Sequence, residues 1–337
     1  MKAMTLSKPG GFGQIALSEV ADPGQPGPGE IRVAIKASSL NYHDLLVASG
    51  AAPTEDGRIL MSDGAGVVEA VGADVSEFAV GDSVVSTFFP NWLAGQPFAG
   101  VGHFGHTPGD GVQGMAAEYV VRPAAAFTKA PQGWSHVESA TITTAALTAW
   151  RALVVDGQLK AGATVLTLGT GGVSIAALQL AKAMGARVIV TSSSDEKLQR
   201  AKALGADALI NYKSTPNWAE QVKALTGGEG VEHVIELGGP GTLAQSIDAV
   251  KVGGHIALIG VLTGLQGDIP TATLMRKQAR LQGLIVASRT DQQQFVRALE
   301  QTGIRPVIDR TFAFSELASA FEHQKNGQHF GKICLQW

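Results

Sequence analysis

A single cysteine, Cys334, stands among the 337 residues. One thiol forms no disulfide within its own chain, and it excludes a zinc site built from cysteine thiolates. Charge is scarce as well. Charged residues make up 16% of the chain and the formal net charge is −3, so there is no basic footprint for nucleic acid or an anionic membrane. No run of about 18 apolar residues occurs that would span a bilayer. The opening stretch MKAMTLSKPGG lacks the apolar core of a secretory signal. A cytoplasmic protein that binds neither nucleic acid nor membrane is the expectation.

What the chain has in quantity is apolar side chains, at 45%, and 42 glycines, many of them between apolar runs where they punctuate short elements. At roughly 150 residues per domain the length suggests about two domains. The first part reads as β-rich. Short runs such as QIALSEV, EIRVAIKASSL and AAEYVVRP are split by Pro/Gly stretches. Residues 89–114 show no period and predict a long loop of the kind that often carries function. From Ser135 the period becomes helical, with Ser135 and Glu138 spaced as a capping box and a helix predicted through Val155.

From Gly162 strands alternate with helices. ATVLTLG leads into SIAALQLAKAMG, RVIVTSS into DEKLQRAKALG, DALINY into NWAEQVKALTG, and VEHVIEL into TLAQSIDAVKVGG, followed by HIALIGV. Strands of continuous Val, Ile and Leu are buried on both faces, as in a parallel sheet. The pattern predicts a doubly wound α/β domain over 126–289. Residues 1–125 and 290–337 are expected to form the other domain, with the chain end returning to it.

The stretch GTGGVS, 169–174, follows a predicted strand and opens a predicted helix, where a G-x-G-x-x-G fingerprint holds a dinucleotide pyrophosphate. Gly169 suits the tight turn, Gly171 the close approach of the phosphates, and Gly172 adds a permissive position beside Thr170 and Val173. Ser174 replaces the third glycine, which only has to allow close helix–strand packing. A glycine turn without a ligand is the competing reading. Its weakness is the run of successive strand–helix units around it.

The next strand ends Thr191, Ser192, Ser193, Ser194, with no carboxylate at its tip to take a ribose 2′-hydroxyl. Lys197 follows in the first turn of the next helix. Hydroxyls and a lysine suit a 2′-phosphate, so NADP(H) is expected rather than NAD. The same residues also fit a plain helix cap at Ser194 with a solvated Lys197.

Six stretches together resemble the medium-chain dehydrogenase/reductase superfamily: NYHDLL (41–46), SDGAGVVEAVG (62–72), VGDSV (80–84), TTAALTAW (143–150), GTGGVSIAALQLAKAMGA (169–186) and GKICL (331–335). The resemblance implies a GroES-like β-rich catalytic domain beside a Rossmann domain, and a homodimer or homotetramer. It also implies that SDEK at 194–197 and Tyr212 belong to an NADP site, and that Thr148, Gly238, Gly260, Val261, Leu284 and Val286 line the nicotinamide half. Lys332 would reach a cofactor phosphate.

Where the family's zinc alcohol dehydrogenases place the Cys, His and Cys that hold catalytic zinc, this sequence has Asn41, Ser62 and Thr144. The chain is therefore similar to the zinc-free branch of quinone oxidoreductases and enoyl reductases, with no metal expected. Without a Lewis acid for an alkoxide, hydride transfer to a quinone or an α,β-unsaturated carbonyl is the more tractable chemistry. Tyr42 is the candidate proton donor and Asn41 a candidate orienting residue. A zinc-independent alcohol dehydrogenase and a non-catalytic NADPH-binding protein of the crystallin kind remain alternatives. The aromatic-bearing stretch with Trp92, Phe98, Phe104 and His106 is where substrate identity is expected to be written.

Overall fold

The computed structural model describes residues 1–337, which divide into two compact units, Met1–Leu147 with Val286–Trp337 and Thr148–Ile285. The first unit contains β1 (Lys2–Leu6), β2 (Ile15–Glu19), β3 (Glu30–Ser39), α1 (Tyr42–Ala48), β4 (Arg58–Ile59), β5 (Ala65–Val71), β6 (Ser83–Ser86), β7 (Tyr119–Pro123), β8 (Phe127–Lys129) and α2 (His136–Ser139). After the α-helical turn α3 (Leu147–Trp150), the second unit contains β9 (Thr164–Leu168), α4 (Gly172–Ala183), β10 (Arg187–Ser192), α5 (Asp195–Ala203), β11 (Ala208–Asn211), α6 (Trp218–Leu225), β12 (Val231–Glu236), α7 (Pro240–Ala249), β13 (Val250–Leu258), α8 (Thr271–Lys277) and β14 (Arg280–Gly283). The chain then supplies α9 (Arg289–Thr302), β15 (Ile308–Ala313), α10 (Leu317–Lys325) and β16 (Lys332–Gln336) to the first unit.

The first unit is β-rich. A seven-stranded sheet runs β15-β16-β3-β5-β6-β8 with β7 also on β3, and a small sheet runs β2-β1-β4. Its last strand is locked in by antiparallel pairing of Cys334 with Ser39 and Leu335 with Ser38. The segment extends past the boundary expected at 125, as far as Leu147. The reason is local: β8 pairs with β6, and α2 packs on β3 and β5. Alternating inward residues such as Ile31, Val33 and Ile35 join Met4, Met61, Val84 and Phe127 in one core. Each such side chain contributes about 1.5–3 kcal/mol when fully buried.

The second unit has six strands in the order β11-β10-β9-β12-β13-β14, all parallel. Counted along the chain this is 3-2-1-4-5-6, the doubly wound order of dinucleotide-binding sheets. Val165, Val188, Ile189, Val190, Val234, Ile235 and Ile256 are fully buried, as central strands covered on both faces require.

Two local expectations fail. The helix predicted from Ser135 does begin with its capping box, Ser135 Oγ accepting from Glu138 N at 3.2 Å and Glu138 Oε2 accepting from Ser135 N at 2.8 Å. It does not run on as one α-helix, because Ile142–Ala146 and Arg151–Val155 are wound as π-helical turns around α3. The helix predicted through Gly253 stops at Ala249. Val250 to Gly253 extend β13 instead, since Val231 pairs with Val250 on the neighbouring strand. No helix is long and apolar enough to cross a membrane.

Candidate functional site

In the second unit the glycine stretch stands where β9 turns into α4. Gly169 has φ +79°, a backbone region that favours glycine, and a β-carbon there would meet nothing within 4 Å. Its requirement is therefore conformational. Gly171 is the N-cap of α4 and provides no side-chain cap, so the amide groups of the first turn stay open to an anion. Ser174 is buried, and its hydroxyl donates to Leu168 O at 2.7 Å. The residue that breaks the fingerprint thus ties the end of the strand to the start of the helix. A pyrophosphate fits this turn.

Ser192 is the last residue of β10 and lies in register with Asn211 of β11. Tyr212 N donates to Ser192 O at 3.1 Å, which brings the tips of the two strands together, with the Tyr212 side chain 42% exposed. Ser193 follows at the strand tip. Ser194 caps α5, its hydroxyl accepting from Lys197 N at 3.3 Å. The carboxylate of Asp195 accepts from Asn211 Nδ2 at 2.7 Å, so the nearest acid is already engaged in tying the start of α5 to the end of β11. Lys197 is half-buried on the first turn of α5.

Beyond β12 the chain turns through Gly238 and Gly239 around a group that sequence reasoning missed. Glu236 is fully buried, and its Oε1 accepts from Gly238 N at 2.7 Å, Gly239 N at 3.0 Å and Thr242 Oγ1 at 2.6 Å. Ser246 Oγ donates to its Oε2. Four donors on one carboxylate offset its desolvation. The available signal was a glutamate ending a run of buried apolar strand residues. The turn also explains two expected cofactor residues by packing. A β-carbon on Gly238 would stand 2.2 Å from Thr242 Oγ1, and one on Gly260 would stand 2.0 Å from Leu237 O. Val261 is half-exposed, Leu284 is buried, and Thr148 is buried at the start of the unit.

Val286, where the chain leaves this unit, is buried with φ +47°. A β-branched residue in that region is strained, and such strain gathers at binding sites.

In the first unit, α1 begins with a capping box at Asn41 and Asp44. Asp44 Oδ2 accepts from Asn41 N at 3.0 Å and Asn41 Nδ2 at 3.1 Å, while Oδ1 accepts from Ser62 N at 2.8 Å. Asn41 Nδ2 also faces Ser62 Oγ at 3.4 Å. Burial, and then the nearby Asp63 charge, push the Asp44 carboxyl up to about 6. Asp63 is fully buried and accepts from Ser39 Oγ and Thr144 Oγ1, each at 2.6 Å.

Lys332 closes this network. Its Nζ donates to Leu40 O and to Asn41 Oδ1, both at 2.6 Å, and stands 3.8 Å from Asp63 Oδ2. The expectation that Lys332 reaches a cofactor phosphate meets a different geometry. Its ammonium is buried among oxygens of its own unit, because β16 pairs with β3 directly before Leu40 and Asn41.

Asn41, Ser62 and Thr144 therefore stand in one buried network, each engaged in hydrogen bonds, with an ammonium on the Asn41 oxygen. This donor set contains no thiolate or imidazole and does not fit zinc. Next to it, Tyr42 is the first residue of α1 and is 42% exposed. His43 Nε2 lies 3.0 Å from Asp110 Oδ2, with the His43 ring against Phe104 at 4.5 Å. Asp110 went unnoticed in the sequence because it lies in the aperiodic loop.

With this geometry in hand, comparisons with known proteins are informative. Residues 172–301 match the family described as zinc-binding dehydrogenase, and residues 27–132 match the alcohol dehydrogenase GroES-like domain. A zinc-type alcohol dehydrogenase-like protein of Schizosaccharomyces pombe is 43% identical over 97% of this chain and 96% of its own. The solved structure of an NAD-dependent alcohol dehydrogenase covers all of both chains at 35% identity and a TM-score of 0.90. That of a Pseudomonas syringae pv. Tomato DC3000 quinone oxidoreductase covers all of this chain and 99% of its own at 29% identity, with a TM-score of 0.83.

Proposed function

The chain belongs to the medium-chain dehydrogenase/reductase superfamily, and from that premise we propose that it is an NADPH-dependent, zinc-independent reductase of quinones or α,β-unsaturated carbonyls. The observation that carries this reading is the closed network that Asp63 and Lys332 form with Asn41, Ser62 and Thr144, the three residues that correspond by resemblance to the metal ligands of zinc-dependent members. No thiolate or imidazole stands among them, the one carboxylate already faces an ammonium, and their polar atoms are committed to one another, so they offer no ligand set for a Lewis acid.

When bound, the reduced nicotinamide supplies the hydride. The chain's own residues then do the rest. The uncapped first turn of α4, entered through Gly169 and Gly171, holds the pyrophosphate. Ser192, Ser193 and Lys197 take the ribose 2′-phosphate, beside Tyr212. An electron-rich oxygen develops on the acceptor as hydride adds to the conjugated carbon, and it needs a hydrogen bond and then a proton. The Tyr42 hydroxyl is the donor proposed for it, since this side chain is exposed at the start of α1. Asn41 acts as a positioning residue. Its amide is fixed on Asp44 and Lys332, and so sets where Tyr42 stands.

The names of two relatives favour a second reading, an alcohol dehydrogenase, which the donor set at Asn41, Ser62 and Thr144 would make zinc-independent, and the NAD-dependent relative makes the choice of cofactor a point to measure. A panel of enones, quinones and simple alcohols, read by nicotinamide absorbance, separates the readings. NADPH oxidation with enones or quinones supports the reductase. Steady NADP⁺ reduction by alcohols with inert enones and quinones replaces it with the dehydrogenase.

A further inference from the structure

Aromatic residues are only 6% of the chain, yet the stretch between Phe88 and His106 gathers several of them around one pocket in the first unit. The pocket has a volume of about 130 Å³, and its lining includes Phe89, Asn91, Trp92, Phe98, Phe104 and His106. Its walls are built against one another. Phe89 packs edge-on to Phe88 at 4.7 Å, stacks with Phe104 at 6.1 Å and 26°, and meets Trp92 at 6.3 Å.

Three features indicate a pre-formed slot rather than loop filling. Trp92 is held from both ends. Its indole N–H donates to Gly95 O at 3.0 Å, and its carbonyl accepts from Arg289 N at 2.9 Å, with Leu93 O accepting from Thr290 N at 2.9 Å beside it. Phe104 has φ +53°, a backbone region that a bulky residue occupies only under restraint, and its ring is clamped between Phe89 and His43. Phe98 is a large aromatic left 51% exposed on the pocket, beside Gly100, where a β-carbon would stand 2.7 Å from the Phe98 ring. An exposed aromatic on the wall of an apolar pocket suits a side chain that covers a ligand.

We infer that this pocket binds a single uncharged six-membered ring carrying oxygen, a benzoquinone or a cyclic enone, and that Phe98 is a specificity-determining residue stacked on it. Size sets the ring number, since an apolar cavity of about 150 Å³ takes one benzene. Charge sets the class, since no lysine, arginine or carboxylate lines the pocket. Asn91 and His106 are the only side chains there that can hydrogen-bond a ring oxygen. Offset stacking on Phe98 and Phe104 supplies the preference for a flat ring. The inference rests on the proposed reductase reading and narrows its substrate.

The test uses the purified full chain without nucleotide, so that binding is read apart from turnover. The probe is 4-fluorophenol, followed by ¹⁹F NMR line broadening, with acyclic 2,2,2-trifluoroethanol as the contrast. The wild type is expected to broaden the fluorophenol signal and leave trifluoroethanol sharp. Phe98→Ala, at an exposed position, is expected to weaken the binding about threefold or more, and Phe98→Tyr to retain it. Equal binding by wild type and Phe98→Ala, or no broadening at millimolar probe, overturns the ring site. A protein that reduces acyclic enones yet fails to bind the probe overturns this inference and leaves the reductase reading standing. A protein that binds the probe and reduces nothing does the reverse.

Discussion

Lys332 Nζ lies 2.6 Å from Asn41 Oδ1 and 3.8 Å from Asp63 Oδ2, so a buried ammonium at the start of β16 holds the N-cap of α1 and faces the Asp63 carboxylate. Replacing it with an apolar chain leaves Asp63 without its cation and frees the Asn41 amide. Lys332→Met is expected to destabilise the protein by about 2–4 kcal/mol and to change NADPH affinity less than threefold. Thermal unfolding and nucleotide titration of the same variant check this. Unchanged stability with strongly weakened NADPH binding would restore the phosphate-binding role that the family resemblance implies for Lys332.

Tyr42→Phe removes the hydroxyl and nothing that packs, because the side chain is 42% exposed. We expect kcat to fall about 10²-fold or more with KM nearly constant and an unchanged melting temperature. A KM effect alone would make Tyr42 a binding residue.

The cofactor preference is predicted to lie in Lys197 and the serines at the tip of β10. Lys197→Ala is expected to reduce the NADPH-to-NADH affinity ratio about tenfold or more, as the loss of one charge-assisted contact to a phosphate would. An unchanged ratio would return Ser194 and Lys197 to a plain helix cap.

A pH prediction comes from the opposite end of the β12–β13 pair, away from the glycine turns. His233 and His255 are register partners, and burial pushes both imidazoles down to about 4. Arg280 Nε donates to His255 Nδ1 at 3.0 Å, which requires that nitrogen to be unprotonated. The folded state therefore resists proton uptake that the unfolded chain accepts near 6.5. Stability is complete above that value and falls as pH drops toward 4, each histidine costing on the order of 2 kcal/mol near pH 4.5. His255→Leu is expected to flatten this acid limb in melting curves between pH 7 and 4.5. An identical limb in the variant would show that other groups set it.

Much of the architecture was legible because it is written in local patterns. The continuous Val and Ile runs of β9, β10 and β12 announce a parallel sheet, and Gly169 at the end of β9 announces the turn that needs a left-handed residue. The breaks were not legible for equally local reasons. The π-helical turns at 142–146 and 151–155 keep a helical sequence pattern while shifting its backbone. Val250 to Gly253 read as helix until pairing with Val231 draws them into β13. At the site, Asn41 and Thr144 could be found by position, but their partners could not. Asp63 and Lys332 lie 22 and 291 residues from Asn41, and only the pairing of β16 with β3 brings that lysine to that amide. The His43–Asp110 pair depends on a loop without period, and Glu236 on donors that arrive from the next helix.

The proposed reaction is hydride transfer without a metal. The direct measurement is the initial rate of NADPH oxidation with an enone or quinone acceptor, before and after exhaustive chelation, with zinc content determined on the same sample. An unchanged rate is expected, in protein holding far less than one zinc per chain. A rate abolished by the chelator and restored by added Zn²⁺ would contradict it.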